Sequence, residues 1–172
     1  QALRKAIAKK NYEFNTHGVE LNQRYKSAAA LPDSEEPSFA RGDAELYYEA
    51  TTWPGAHIPH AWVEHDRRPL TTLDLCGQGG FTLLTGIGGE AWRDAAANAE
   101  IQFGLPVRVV SIGPAGCDAV DIYGDWAGLS EIEDEGAILV RPDMFVAWRS
   151  NGTDGDESKR LSEALMQILS LG

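Results

Sequence analysis

The chain has 172 residues, of which 43% are hydrophobic and 24% charged. That is globular rather than disordered composition, at the length of one ordinary domain or of a small domain with an appendage. No apolar run reaches the roughly 20 residues of a membrane-spanning helix, and two cysteines, Cys76 and Cys117, exclude a disulfide scaffold and point to a reducing, cytoplasmic compartment. The net charge of −11 is unevenly spread: residues 1–30 carry +4, leaving −15 on the rest, so nucleic acid and anionic membrane surfaces are excluded as partners. The first residues, Gln-Ala-Leu-Arg-Lys, lack an initiator Met and a signal core, and the chain is expected to be a piece of something longer.

Residues 1–15 have helical spacing, with Leu3, Ile7 and Phe14 near one face and Lys5, Lys9 and Lys10 elsewhere. Asn15 to Gly18 predicts a helix stop, with Gly18 at positive φ. Residues 31–45, including Arg41-Gly-Asp43, are turn-rich and acidic, a loop or linker. Residues 46–62 hold Pro54, Gly55 and Pro59 and predict irregular surface chain anchored by Trp53 and Trp62. Thr71 to Cys76 alternates and predicts a strand that forms a hairpin with Phe81–Thr85 across Gly77–Gly80.

Beyond this, Glu90–Phe103 is a helix with Trp92, Ala96, Ala99 and Phe103 on its buried stripe. Val107–Ile112 is a strand, and a short helix surrounds Trp126 to Leu129. Gly136–Arg141 and Phe145–Trp148 are antiparallel strands across a Pro142-Asp143-Met144 turn. Glu157–Leu171 closes the chain as a helix that buries Leu161, Leu165, Ile168 and Leu169. From residue 81 the order is β-α-β-α-β-β-α, the succession of an α/β, thioredoxin-like core. Residues 71–172 are the expected domain, and residues 1–70 an N-terminal helix and linking arm.

Chemistry-bearing motifs are sparse. Gly86-Ile-Gly-Gly-Glu-Ala91 fits G-x-G-x-x-A between a strand and a helix. The next strand offers no acid for a ribose, however, and Glu90 would meet a pyrophosphate with like charge. The simpler reading is a tight strand-to-helix turn. A redox thioredoxin carries two thiols at this turn and a cis-proline where this chain has Glu135-Gly136-Ala137. Disulfide exchange therefore has no nucleophile, and Cys76 and Cys117 read as small packed hydrophobes. His57, His60 and His65, near Glu64 and Asp66, match no metal-ligand face. Asp118 with Asp121, and the run Glu131, Glu133, Asp134 and Glu135, assemble no acid–base pair in a cleft. The run reads as a helix end in solvent. No catalytic, cofactor-binding or metal-ligating residue is assigned.

Four stretches together carry a resemblance. They are Lys10 to Ser27, Trp53-Pro-Gly-Ala-His-Ile-Pro-His-Ala-Trp62, Thr72-Leu-Asp-Leu with Phe81-Thr-Leu-Leu-Thr-Gly86, and Gly136 to Asp143 with Val146-Ala-Trp-Arg149. In that order and spacing they resemble the C-terminal third of FAD-dependent aromatic-ring hydroxylases, in the 2,4-dichlorophenol 6-monooxygenase and phenol hydroxylase branch. The resemblance implies a thioredoxin-like domain without redox cysteines. It implies a parent enzyme in which NADPH reduces FAD, and oxygen then supplies one atom to a phenol ring ortho to its hydroxyl. The family's flavin motifs have no counterpart here. Arg41-Gly-Asp43 lacks the continuation of the flavin Gly-Asp motif. FAD and NADPH are thus expected in the parent protein, and an inactive fragment here. Its implied partners are the N-terminal FAD and substrate domains and a possible second subunit, touched by Trp53, Trp62 and the helix around Lys5 to Lys10. The competing readings are a stand-alone, non-redox binding module and a nucleotide-binding enzyme using Gly86 to Ala91.

Overall fold

The computed structural model describes residues 1–40 and 42–171, so Arg41 of the expected loop lies outside the described residues. Among them, one mixed sheet has seven strands: β1 (Trp62–His65), β2 (Arg68–Thr71), β3 (Phe81–Thr85), β4 (Val107–Gly113), β5 (Ala119–Asp121), β6 (Ala137–Val140) and β7 (Val146–Ser150). Their spatial order is β2-β1-β5-β4-β3-β6-β7. Strand β3 pairs parallel with β4 and antiparallel with β6, and β4 pairs parallel with β5. Every residue of β3 and β6 is buried, as expected of strands covered on both faces.

Alternation along these strands feeds two cores. On one face Leu83, Leu139 and Ala147 pack with α4 (Glu90–Phe103) and α6 (Glu157–Ile168) through Trp92, Ala96, Leu161 and Leu165. Three alanines on the buried stripe of α4 let that helix sit close to α6. Phe103, expected on that stripe, is half-buried. On the other face Leu84, Ile138 and Val146 pack with Trp126 of α5 (Asp125–Leu129), Leu75 of α3 (Thr72–Leu75) and Ile58.

Several sequence expectations are corrected here. Thr71 to Cys76 is not a strand of a β3 hairpin. Thr71 and Asp74 form a capping box, which makes Thr72–Leu75 one helical turn. Residues 62–71 are instead a hairpin, with Trp62 opposite Thr71 and His65 opposite Arg68. Its turn residues, Asp66 and Arg67, have φ of 51° and 61°, the left-handed pair that a two-residue hairpin turn requires. The sheet therefore draws strands from both sides of residue 70. Strand β5 was not expected; residues 114–118 loop out and the chain resumes beside β4 in the same direction. The first helix, α1 (Ala2–Phe14), stops where expected, but Gly18 lies within α2 (His17–Leu21). A Cβ on Gly18 would collide with the carbonyl of Ala44, so close approach rather than positive φ requires glycine there.

The arm covers the outer edge of β7. Leu31 N–H donates to Ala147 O at 2.7 Å, Gly55 N–H to Val146 O at 2.8 Å, and Val146 N–H to Ala56 O at 2.9 Å. Gly55, at φ 104°, lets this segment pass the carbonyl of Tyr25. Arg149 locks the arrangement. Its guanidinium donates to Asp33 at 2.7 Å, to Glu131 at 2.7 Å and to the Thr52 hydroxyl at 3.0 Å. Glu131 also accepts from the Thr51 hydroxyl at 2.8 Å and from Thr52 N–H at 3.0 Å. Burial alone would lower the Arg149 pKa, but Asp33 and Glu131 hold it above its usual value. The Arg149 side chain is 12% exposed and its partners 35% and 38%, so the pair sits between the buried and the surface regimes. Arg149→Met is expected to destabilise the chain by about 2 kcal/mol in urea unfolding and to speed amide exchange at Leu31 and Gly55.

Candidate functional site

The strand-to-helix turn after β3 is where the sequence offered a nucleotide motif, and its geometry shows what the glycines do. A Cβ on Gly86 would strike the carbonyl of Asp134, one on Gly88 would meet the Glu135 side chain at 2.5 Å, and one on Gly89 would overlap Thr85. Gly88 N–H already donates to Asp134 O at 2.9 Å, and Gly89 N–H to Gly86 O at 3.3 Å. The Gly88 and Gly89 donors are thus taken, and the facing segment is acidic, which opposes a phosphate there. The turn exists so that residues 133–136 can pack on it. Trp92 Nε1–H completes the contact by donating to Glu135 O at 2.8 Å.

The acidic run follows the end of α5 with all four acids exposed, yet three of its members also serve the fold. Glu131 sits in the Arg149 clamp, Asp134 lends its carbonyl to the glycine turn, and Glu135 accepts from the Thr153 hydroxyl at 2.9 Å. The sequence signal was present in Arg149, inside one of the stretches that carry the resemblance, but its partners lie 18 and 116 residues away.

A polar knot joins β4 to β5. Asp118 accepts from Ser111 N–H at 2.8 Å and from the Ser111 hydroxyl at 3.0 Å, and its own N–H donates to Ser111 Oγ at 2.9 Å. Arg93 of α4 pairs with the same carboxylate. Burial pushes the Asp118 pKa up, but the Ser111 N–H, Arg93 and the Ser111 hydroxyl outweigh it and hold the carboxyl below its ordinary value. The neighbouring Asp121 is not part of this knot; it lines a cavity with Trp126, Ile112 and Ile87.

The histidines diverge. His57 Nδ1 lies 3.0 Å from Ile58 O, His60 stacks edge-on to Trp62 with centroids 5.5 Å apart, and His65 Nδ1 lies 2.7 Å from Asp118 O. Among the described residues no three His, Cys, Asp or Glu converge in the manner of a metal site. Cys76 is buried, and burial pushes its thiol up to about 12. Burial also raises Cys117, whose sulfur lies 3.0 Å from where a Cβ on Gly113 would stand. Both are thiols rather than thiolates at neutral pH.

Two surface expectations divide. Trp53 is 2% exposed, fixed in the core with Nε1 donating to Ser34 O at 3.3 Å, and so is unavailable to another domain. Trp62 is 45% exposed on β1. Helix α1 buries nothing: Leu3, Ile7 and Phe14 are 73%, 60% and 77% exposed, and the Tyr12 hydroxyl ties the helix to Glu45.

The family model described as aromatic-ring hydroxylase, C-terminal, matches residues 51–171. The chain belongs to that family. It is 52% identical over 169 residues to a 2,4-dichlorophenol 6-monooxygenase of Cupriavidus pinatubonensis, covering 97% of this chain and 28% of that protein. It is 37% identical over 164 residues to a phenol 2-monooxygenase of a Pseudomonas species, covering 95% and 27%. The flavin-dependent monooxygenase PieE, solved with FAD and substrate, superposes with a TM-score of 0.84 at 51% identity, covering 92% of this chain and 27% of that one. The chain thus spans little more than a quarter of these hydroxylases. Among its described residues no helix is long and apolar enough to cross a membrane.

The knot in this hydroxylase domain has a signed pH consequence. Asp118 is depressed in the folded state, so its contribution is present above the ordinary carboxylate range near about pH 4 and is lost as pH falls through the lower folded value. Its carboxylate is over a third exposed, which limits the contribution to about 1 kcal/mol. Asp118→Asn is expected to lower the urea midpoint at pH 7 and to flatten its fall toward acid; parallel pH profiles would refute the assignment. At the glycine turn, NADPH is expected to give no saturable shift of the Gly86 and Gly88 amides.

Proposed function

We propose that this chain is the C-terminal portion of an FAD- and NADPH-dependent phenol or chlorophenol monooxygenase that acts in the cytoplasm and hydroxylates the ring ortho to its hydroxyl. The observation that carries this reading is the 52% identity over nearly the whole chain to a 2,4-dichlorophenol 6-monooxygenase of which it covers 28%. The Gly86 turn does not fit FAD or NADPH, because Asp134 O takes the Gly88 N–H and the neighbouring side chains are acids. Both cofactors are therefore assigned to the rest of the parent protein, and this chain alone is inactive.

Its own work is structural. The unit built around the sheet begins near residue 51, where the family match starts, and residues 1–50 lead into it. Its core is proposed to be thioredoxin-like, supported by the order β4-β3-β6-β7 with α4 and α6 on one face. The apolar stripe of α1, Leu3, Ile7 and Phe14, is proposed to dock on the parent's FAD and substrate domains. Spacings of four and seven residues put all three on one helical face, and all three are bare here. Trp62 is left for a contact with a second subunit in a homodimer.

The test isolates the gene product from its source cells through this domain. A longer yellow protein whose NADPH oxidation depends on a phenol is the expected result, with the 172-residue chain inactive under the same assay. Amides of Ala2–Phe14 should exchange more slowly in that protein than in this chain. A colourless product of this chain's own mass would overturn the reading.

A further inference from the structure

Asn151 directly follows β7 and is exposed at the start of a polar loop. It is the single asparagine of the chain that precedes a glycine; Asn11, Asn15, Asn22 and Asn98 precede Tyr12, Thr16, Gln23 and Ala99. Its bonding differs as well. Asn15 Nδ2 donates to Asn11 Oδ1 at 2.7 Å, Asn22 Nδ2 to Tyr47 O at 2.7 Å, and Asn98 Nδ2 to the Ser158 hydroxyl at 3.0 Å. Among the described residues the Asn151 carboxamide has no hydrogen-bond partner, and neither has the Gly152 N–H beside it. The carbonyls of both residues are held: Asn151 O accepts from Glu133 N–H at 3.0 Å, and Gly152 O from the Ser150 hydroxyl at 2.7 Å.

Two residues further on, Asp154-Gly155 has the same succession of groups and the opposite treatment. Asp154 Oδ1 accepts from Asp156 N–H at 3.1 Å and Oδ2 from Arg160 at 3.1 Å. Gly155 N–H donates to Glu157 Oε1 at 2.9 Å. Within one loop, then, one acyl side chain and the amide nitrogen after it are free, and the next such pair is tied at both ends.

We propose that Asn151 is a site of spontaneous covalent modification, at which the chain deamidates itself through a cyclic imide formed with Gly152. The Gly152 nitrogen attacks Asn151 Cγ. A bond forms between them, the bond from Cγ to Nδ2 breaks, and ammonia leaves with the proton of the Gly152 N–H. Water then opens the ring, and nothing is oxidised or reduced. Opening at the new bond leaves aspartate; opening at the former main-chain carbonyl leaves isoaspartate, in which the chain runs through the side-chain carbon. Glycine favours the closure because no Cβ crowds the nitrogen and its backbone turns freely. Closure breaks at most the bond between Glu133 N–H and Asn151 O, which slows it about tenfold, whereas the three bonds on Asp154 and Gly155 slow theirs about a thousandfold. The isoaspartate product has structural consequences. It displaces the carbonyl that Glu133 uses, the same carbonyl that a Cβ on Gly136 would meet at 2.6 Å, so residues 133–136 lose their hold on residue 151.

The test incubates the folded chain at mildly alkaline pH, with a synthetic Ser150–Lys159 peptide as the unstructured reference. Trypsin releases the same segment from the chain, between Arg149 and Arg160, and mass spectrometry reads both. A gain of about one mass unit at Asn151, with isoaspartate among the products, is expected in the chain at a rate within about tenfold of the peptide. Asp154 is expected to isomerise in the peptide and not in the chain. A Cβ on Gly152 would meet open space, so Gly152→Ala keeps the fold, and it is expected to slow conversion at Asn151 about tenfold. Glu133 N–H is expected to exchange faster in the isoaspartate form than in fresh chain. No conversion at Asn151 while the peptide converts, an undiminished rate in Gly152→Ala, or equal conversion at Asn11, Asn15, Asn22 and Asn98 would each overturn the proposal.

Discussion

Everything in this domain depends on β3 being buried on both faces. Leu83 and Leu84 are each 0% exposed, yet they point into opposite cores. One face is covered in the ordinary way, by two long helices. The other has only the single turns α3 and α5, so irregular chain from residues 51–61 must complete the cover. Buried irregular backbone needs partners for its polar groups. Thr72, fully buried, supplies two: its hydroxyl donates to Pro59 O at 2.6 Å and accepts from Ala61 N–H at 3.0 Å. Ile58 N–H finds Met144 O at 2.9 Å. The arm is thus a wall of the second core, and the Arg149 clamp is what keeps that wall in place.

The elements that the sequence revealed are those whose burial repeats locally. Helices α4 and α6 carry apolar stripes at helical spacing, and β4, β6 and β7 are short apolar runs bounded by Gly or Pro. What stayed hidden rests on exceptions. The β1–β2 hairpin turns on Asp66 and Arg67, left-handed residues that are not glycine, and β2 contains Pro69. The Thr71–Asp74 capping box overrode an alternation that looked like a strand, because two side-chain hydrogen bonds outweigh a weak β preference over four residues. The knot at Asp118 and the clamp at Arg149 are tertiary, so no local window contains both halves. Residue types alone marked Glu131 as one of four acids in a run, and only the fold separates it from Glu133.

The turn after β3 shows how one sequence pattern serves two chemistries. Three glycines after a strand and before a helix leave backbone N–H groups exposed, and a phosphate uses them where they stay free. Here residues 133–136 fold back onto them, and Asp134 occupies the donor of Gly88. The Gly88 donor is satisfied by protein rather than by ligand, and the acids that come with this segment face the turn as well.

The division of labour within the chain follows from where the apolar surface goes. Residues from 58 onward supply the buried members of both cores, with Ala29 and Leu31 packed against one of them, while the thirteen residues of α1 bury none of their side chains. An isolated helix of that length is marginal in water, because most helical stability in proteins comes from an apolar face packed on something else. Leu3, Ile7 and Phe14 form such a face, and Lys5 and Lys9 lie off it. The docking proposed for Leu3, Ile7 and Phe14 would give α1 the packed apolar face that a helix of this length needs, and it is the exposure of all three residues in this chain that motivates it.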